Sequence, residues 1–200
     1  GVSVPCNNKA HDKQTHGNDF VFIYDNPLHD NRTDIVYVSS KNIKNGYPRG
    51  DQGVRTAFKG HLSELDEIVS CSKISTEINQ AIQTFKGRKQ KKHVGLLVWT
   101  HGDRETLDKD IKPVLNRIQL DLVSNCPLYL VDMSRASFIK EAISHFKAIK
   151  QGQEYHFYYP KLGNVIANAD ERYGDLLPIE LLASDLIPFR FLLGEKPSLC

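Results

Sequence analysis

The stretch GNDFVFIYDNPLHDNRTDIVYVSSKN, residues 17–42, decides how the rest of the chain is read. Phe20 to Tyr24 and Ile35 to Val38 are short, continuous apolar runs. They are rich in aromatic and β-branched side chains, the composition of strands buried on both faces. Between them, Asp25 to Thr33 is dense in Asp, Asn, Pro and His, which is turn chemistry. Folding the two runs antiparallel, with Tyr24 roughly opposite Ile35, brings Asp19 beside Ser39, Ser40 and Lys41. Side chains alternate between faces along a strand. In one register, therefore, Asp19, Ser39 and Lys41 share a face.

An acid and a lysine held together at a sheet edge suit phosphate chemistry. The carboxylate of Asp19 can hold Mg²⁺, a hard cation that takes oxygen ligands. The lysine can place positive charge on a scissile phosphate or orient the attacking water. The metal acidifies that water and stabilises the leaving oxygen. The plainer alternative is that strand ends are exposed and polar, so an Asp at one and a Lys at the other need no function.

The second half of the chain alternates strand and helix patterns. VGLLVWT (94–100) and PLYLVD (127–132) read as strands, residues 104–123 as a helix that restarts at Pro113, and EYHFYY (154–159) as a further strand. SFIKEAISHFKAIKQ is a helix with Ile139, Ile143, Phe146 and Ile149 on one face, ended by Gly152. Helical spacing also joins Leu62, Leu65, Ile68 and Val69 to Ile74, Ile78, Ile82 and Phe85. Residues 43–60, with four glycines and a proline, read as a long loop, and residues 6–18 as a polar one. The tail from 175 onward predicts a short helix and a strand. Strands alternating with helices give an α/β class, a central mixed sheet flanked by helices. That sheet is expected to hold 19–24, 34–40, 94–100, 127–132 and 154–159.

The order of elements and the residues of GNDFVFIYD and IVYVSSKN resemble the PD-(D/E)xK nuclease superfamily, the restriction-endonuclease-like fold. That family carries an Asp at the start of one strand and a (D/E)xK triplet at the end of its neighbour, followed by a helix and another strand. The resemblance covers about residues 17–100 and implies a nuclease-like core there, with an α/β extension over about 101–200, in a single domain 1–200. It implies Mg²⁺-dependent hydrolysis of DNA in a restriction or anti-phage setting. Asp19 would be the metal ligand, Lys41 the phosphate- or water-orienting group, and Ser39 a polar neighbour. The triplet reads Ser39-Ser40-Lys41, so a serine stands where the family has an acid. Asp51, Glu64 and Glu67 are the nearest carboxylates in sequence that could replace it. The family's first helix is not visible before the hairpin, and the chain opens on Gly1 in a strand-like stretch, which suggests a missing N-terminal piece.

Composition sets the remaining bounds. The chain has 200 residues, 40% hydrophobic and 25% charged, with a net charge of +2. That balance suits a globular protein and does not by itself argue for nucleic acid. Contact with a DNA backbone would fall to the run Lys86, Arg88, Lys89, Lys91 and Lys92, although a basic loop is also ordinary solvated surface. Cys6, Cys71, Cys126 and Cys200 form no CxxC pair, which fits a reducing, cytoplasmic setting. No apolar run reaches the length of a membrane span. A homodimer or a partner subunit stays open.

Two other stretches carry residues suited to chemistry. His101 and Asp103, in THGD after a strand, could act as a base and its partner or as metal ligands, or form a turn leading into the next helix. Glu180 in PIELLASDLIPFRFLL is reminiscent of ADP-ribosyltransferases, in which a Glu on a late strand activates the ribose. A catalytically inactive nuclease fold that binds DNA or protein is the third alternative.

Overall fold

The opening hairpin forms where its sequence predicts and sets the register of the sheet around it. Its first strand, however, is an edge strand with Phe20 and Phe22 58% and 55% exposed, so only the second run is buried on both faces. In the computed structural model, which describes residues 2–6, 14–116, 118–149, 155–160, 172–193 and 196–199, β3 (Phe20–Asp25) pairs antiparallel with β4 (Arg32–Ile43). Ile23 lies opposite Ile35 and Tyr24 opposite Asp34. This is one residue away from the rough pairing of Tyr24 with Ile35. The shift matters, because a one-residue slip moves a strand's side chains to the other face. β1 (Val2–Pro5) and β2 (Thr15–Asn18) precede this hairpin as a two-stranded antiparallel ribbon. Residues 15–18, expected to be loop, thus form a strand.

The chain divides into two compact units, Gly1–Asp25 with Asn31–Ser134, and Asn26–Asp30 with Arg135–Cys200. In the first, the sheet runs β3-β4-β5-β6, with β5 (Gln90–His101) parallel to β4 and β6 (Leu128–Asp132) parallel to β5. A parallel neighbour demands a crossover. Between β4 and β5 it is made by α1 (Gly50–Ser72) and α2 (Thr76–Phe85). Ser75 separates the two helices and caps the second, accepting from the Ile78 N–H. The result is the mixed sheet with flanking helices of the restriction-endonuclease-like α/β fold.

Helix α1 begins at Gly50, inside the stretch expected to be a loop. Val54, Phe58, Leu62, Leu65 and Val69 recur on one face and are buried against Ile35, Tyr37, Leu97 and Trp99 of the sheet. Each such burial is worth roughly 1.5–3 kcal/mol. An interior glycine costs about 1 kcal/mol, so packing outweighs Gly53 and Gly60. Gly95 of β5 permits the close approach: a Cβ there would lie 2.6 Å from Leu128 Cδ2 and 3.1 Å from Leu65.

The expected helix over 104–123 is mostly absent. A 3₁₀ turn at Arg104–Thr106 and α3 (Lys112–Leu115) are the only helical pieces described there. Side chains take the backbone donors a longer helix would use. Asp103 Oδ1 accepts from Glu105 N–H and Asp110 Oδ1 from Lys112 N–H. The buried Asp66 carboxylate accepts from Val123 N–H at 2.6 Å and Ser124 N–H at 3.1 Å.

Helix α4 (Met133–Ile149) follows β6. From Arg135 it belongs to the second unit, where β7 (Tyr155–Tyr158), β8 (Tyr173–Gly174), β9 (Phe189–Leu193) and β10 (Lys196–Leu199) form a sheet ordered β10-β9-β7-β8. The strand at 154–159 was expected in the central sheet. It lies instead in this second sheet, because β7 pairs antiparallel with β8 and β9. Phe157, Tyr159, Ile187 and Phe189 form the core of this unit, with Ile139, Ile143 and Phe146 of α4 packed on it. That accounts for the predicted helix face and for much of the aromatic cluster. The tail supplies the predicted short helix, α5 (Ile179–Leu182), and then β9. Gly152 lies outside the described residues. No helix among the described residues is long and apolar enough to cross a membrane.

Candidate active site

Asp19 stands between β2 and β3, its N–H donating to Val38 O at 3.2 Å. With Phe20 opposite Val38, the next pair along the ladder is Asp19 and Ser39. Directly opposed residues share a face, and Lys41 is two residues on, so all three point to the side covered by α1. The Asp19 side chain is exposed, and its Oδ2 accepts from Ser40 N–H at 2.6 Å. That single bond orients the carboxylate and leaves Oδ1 available. Ser39 is buried, 2% exposed.

A carboxylate from the helix lies against the lysine of the triplet. Lys41 Nζ lies 2.8 Å from Glu64 Oε2, both side chains about a third exposed. A pair this accessible contributes only about 0.2–1 kcal/mol to folding, so stability is a weak reason for it. Of the three acids nearest in sequence, Glu64 is the one in contact with Lys41. Asp51 pairs with Arg55 within α1. Glu67 Oε2 lies 4.0 Å from His16 Nδ1. Nothing in the spacing of the triplet singles out Glu64, but its place between the buried Leu62 and Leu65 puts it on the flank of the buried face.

His61, one turn before Glu64, was not anticipated. Its ring meets Trp99 edge-on, centroids 5.3 Å apart, and Trp99 is the register partner of Lys41 in β5. Burial holds the His61 pKa below the ordinary histidine value. The Lys41 charge adds to this and Glu64 partly offsets it. Burial and the positive charge of Lys41 both favour the neutral imidazole. The fact that i and i+3 share a helix face could have linked it to Glu64.

The basic run lies at the other end of the strands. Lys91 pairs in register with Thr33, and Trp99 with Lys41. Eight residues at ~3.3 Å each place the run about 26 Å from the Lys41 end. There Lys86, Lys89 and Lys91 are exposed, while Lys92 and Arg88 are half-buried. Arg88 N–H donates to Asp25 Oδ1 at 3.0 Å, and Lys91 Nζ donates to Thr33 Oγ1 at 3.3 Å. The structure thus gathers Asp19, Ser39 and Lys41 and keeps the five basic residues apart from them.

The remaining candidates have structural surroundings. Asp103 caps the 3₁₀ turn, also accepting from Thr106 Oγ1 at 2.8 Å. His101 is buried edge-on against Tyr47. Glu180 lies in α5 rather than on a strand. It accepts from Asn26 Nδ2 at 2.9 Å and has His29 Nε2 at 3.6 Å, which ties the helix to the Asn26–Asp30 segment.

Asp19 and Glu64 each offer hard carboxylate oxygens, the donor type that Mg²⁺ or Mn²⁺ takes and a soft metal does not. Residues 1–135 match a family described as the GAPS4 protein PD-(D/E)XK nuclease domain. No curated protein and no solved structure is significantly similar to the chain.

Proposed function

Because the chain belongs to the GAPS4 PD-(D/E)XK nuclease domain family, we propose that it hydrolyses phosphodiester bonds in DNA with the help of a divalent cation. Asp19 and Glu64 would hold the ion and Lys41 would face the scissile phosphate. The observation that carries this is the 2.8 Å contact of Lys41 with Glu64, at the strand end where Ser40 N–H fixes Asp19. It supplies the second acid that Ser39 cannot. A serine hydroxyl stays neutral at pH 7, whereas a carboxylate brings a full charge to a hard cation.

Bound there, Mg²⁺ would acidify a water and neutralise charge on the phosphate. The chain's own residues prepare that step. Ser40 N–H holds the Asp19 carboxylate in one orientation without saturating it. Glu64 holds the Lys41 ammonium in place before substrate arrives, so little reorganisation remains when charge develops on the phosphate. His61 packs edge-on against Trp99, the register partner of Lys41. A cytoplasmic, anti-phage role follows as the setting for such an enzyme, with the run Lys86–Lys92 as a contact for the DNA backbone.

Incubating plasmid DNA with the full chain in Mg²⁺ or Mn²⁺ tests this. Cleavage is expected, and Asp19→Asn, Lys41→Ala and Glu64→Gln should each abolish it while circular dichroism stays unchanged. Cleavage at the unmutated rate in any of the three removes that residue from the site. DNA binding with no cleavage in either metal would instead favour the inactive binding module. Phage plating on cells carrying the Asp19→Asn chain checks the defence role: protection that survives the substitution would exclude it.

A further inference from the structure

Three metal-binding side chains from distant parts of the sequence meet where the first ribbon touches α1. Cys6 follows β1, His16 lies in β2, and Cys71 is in the last turn of α1. Their ligand atoms all lie within 4.8 Å of one another. His16 and Cys71 are buried, 2% and 1% exposed, and Cys6 is partly exposed.

The sulfur spacing excludes a disulfide and is compatible with a shared metal ion. Cys6 Sγ and Cys71 Sγ are 3.9 Å apart. A disulfide needs about 2.05 Å. Zinc–thiolate bonds are about 2.3 Å, which puts two sulfurs of a tetrahedral site about 3.8 Å apart. A thiol–thiol hydrogen bond tolerates the same separation, so it is the buried imidazole within 4.8 Å of both sulfurs that makes the pair a candidate donor set. Two thiolates and an imidazole are the borderline-soft donors that zinc takes. Glu67 Oε2, 4.0 Å from His16 Nδ1, is the kind of carboxylate that orients a ligating imidazole.

We propose that Cys6, His16 and Cys71 bind a zinc ion that clamps the β1–β2 ribbon to α1, with water in the fourth position on the open side at Cys6. An isolated two-stranded ribbon is marginal in water. Besides the cluster, Asn18 Nδ2 ties the ribbon to the helix by donating to Ser72 Oγ at 3.0 Å. β2 ends at Asn18 and the next residue is Asp19, so the clamp fixes the strand that delivers Asp19. It stands on its own ligand geometry and holds whether or not the chain cuts DNA.

The test is metal analysis of the full chain purified without chelator, followed by titration of the metal-free chain with Co²⁺ alone. Expected are about one zinc per chain and a thiolate-to-cobalt charge-transfer band, which the all-oxygen Asp19 and Glu64 set cannot produce. Cys6→Ser should lose both, and Cys126→Ser should keep both. Zn²⁺ at a hundredfold excess over its dissociation constant should raise the melting temperature of the metal-free chain by about 5–10 °C, and should not raise that of Cys6→Ser. Because Cys6 is partly exposed, that variant tests the clamp even if Cys71→Ser fails to fold. A missing band, a band unchanged by Cys6→Ser, or an unreduced chain two hydrogens lighter with Cys6 joined to Cys71 would overturn the site.

Discussion

At one end of the β3–β4 hairpin Asp25 lies opposite Thr33, with Arg88 and Lys91 beside it, and at the other Asp19 precedes the strand opposite the Ser39 position, with Lys41 two residues on. Both ends offer an acid on the first strand, a hydroxyl facing it and a cation nearby. Their hydrogen bonding separates them. Asp25 Oδ1 accepts from Thr33 Oγ1 at 2.6 Å and from Arg88 N–H at 3.0 Å, and Arg88 Nε is 4.0 Å from Oδ2. Burial pushes the Asp25 carboxyl up, but those hydrogen bonds and the charges of Arg88 and Lys91 outweigh it and hold it below the usual carboxylate value. That end is a closed network. At the other end Asp19 has one backbone donor, and the cation is held by a second acid. An acid and a base at a strand end become usable chemistry only where the acid keeps coordination to give and a second carboxylate is in reach.

The sharpest way to break this comparison is to neutralise one acid at each end. Asp19→Asn should lower metal-dependent cleavage by at least about a hundredfold, the scale of removing a group that stabilises transition-state charge. Asp25→Asn should leave the rate of the folded enzyme unchanged. Initial rates on plasmid DNA with matched fractions folded decide it. If Asp25→Asn loses as much as Asp19→Asn, the closed end is catalytic and the distinction fails.

Stability should show the reverse order. Thr33→Val removes a donor from the Asp25 network and should cost about 1–2 kcal/mol in chemical denaturation. Asp19→Asn, exposed and with its backbone bond still available, should stay within about 0.5 kcal/mol of the parent chain. Equal losses at both ends would mean that Asp19 also serves the fold.

The hairpin was legible because both determinants are local: two apolar runs and a turn between them. Its register was not. The pairing of Tyr24 with Asp34 rather than Ile35 is chosen by which side chains fill the space under α1, and α1 itself was half hidden. Gly50, Gly53 and Gly60 disguised its first three turns as loop, since the packing of Val54 and Phe58 that compensates for them appears only in three dimensions. Asp19 and Lys41 could be named from the sequence, as could the missing acid. Glu64 could only be included among three, because contact across 23 positions depends on how a helix lies over a strand. The irregular path of 104–123 was illegible for a similar reason: Asp66, far upstream, takes the donors of Val123 and Ser124.

A pH titration separates the two ends more finely. At the Lys41 end, burial lowers the His61 pKa from 6.5, with Lys41 adding to the effect. His93, which stacks on Tyr37, is lowered by burial and then by Lys73. In the unfolded chain both take up protons near pH 6.5. Between that value and the lower folded one the unfolded state binds more protons. Stability should therefore be full above about pH 6.5 and fall as the solution is acidified below it. Asp25, with a depressed folded pKa, contributes stability that is full above its unfolded value near 3.8 and lost below that. His61→Gln should shrink the first window to the part due to His93 and leave the second, and Asp25→Asn should remove the second and leave the first. Denaturation midpoints at pH 7.5, 5.5 and 3.5 measure both. An unchanged drop between 7.5 and 5.5 in His61→Gln would show that its burial does not depress its pKa.

The smallest effect concerns DNA affinity rather than cleavage. Lys86 and Lys89 are exposed beyond the Asp25 network, while Arg88 and Lys91 bond into it. A lysine that neutralises one phosphate changes the logarithmic salt dependence of binding by about 0.9. The double variant Lys86→Gln, Lys89→Gln should therefore shallow the slope by up to about two, uniformly across sequences, with a modest loss of affinity at low salt. Lys91→Gln should change it less, because its ammonium is held by Thr33 Oγ1. Asp19→Asn in the absence of metal should leave the slope unchanged or bind slightly tighter, since it removes a negative charge from the facing end. Fluorescence anisotropy of a labelled duplex across a salt series resolves these differences. A slope unmoved by the double variant would leave the basic run as solvated surface, and phosphate contact would have to come from the Lys41 end alone.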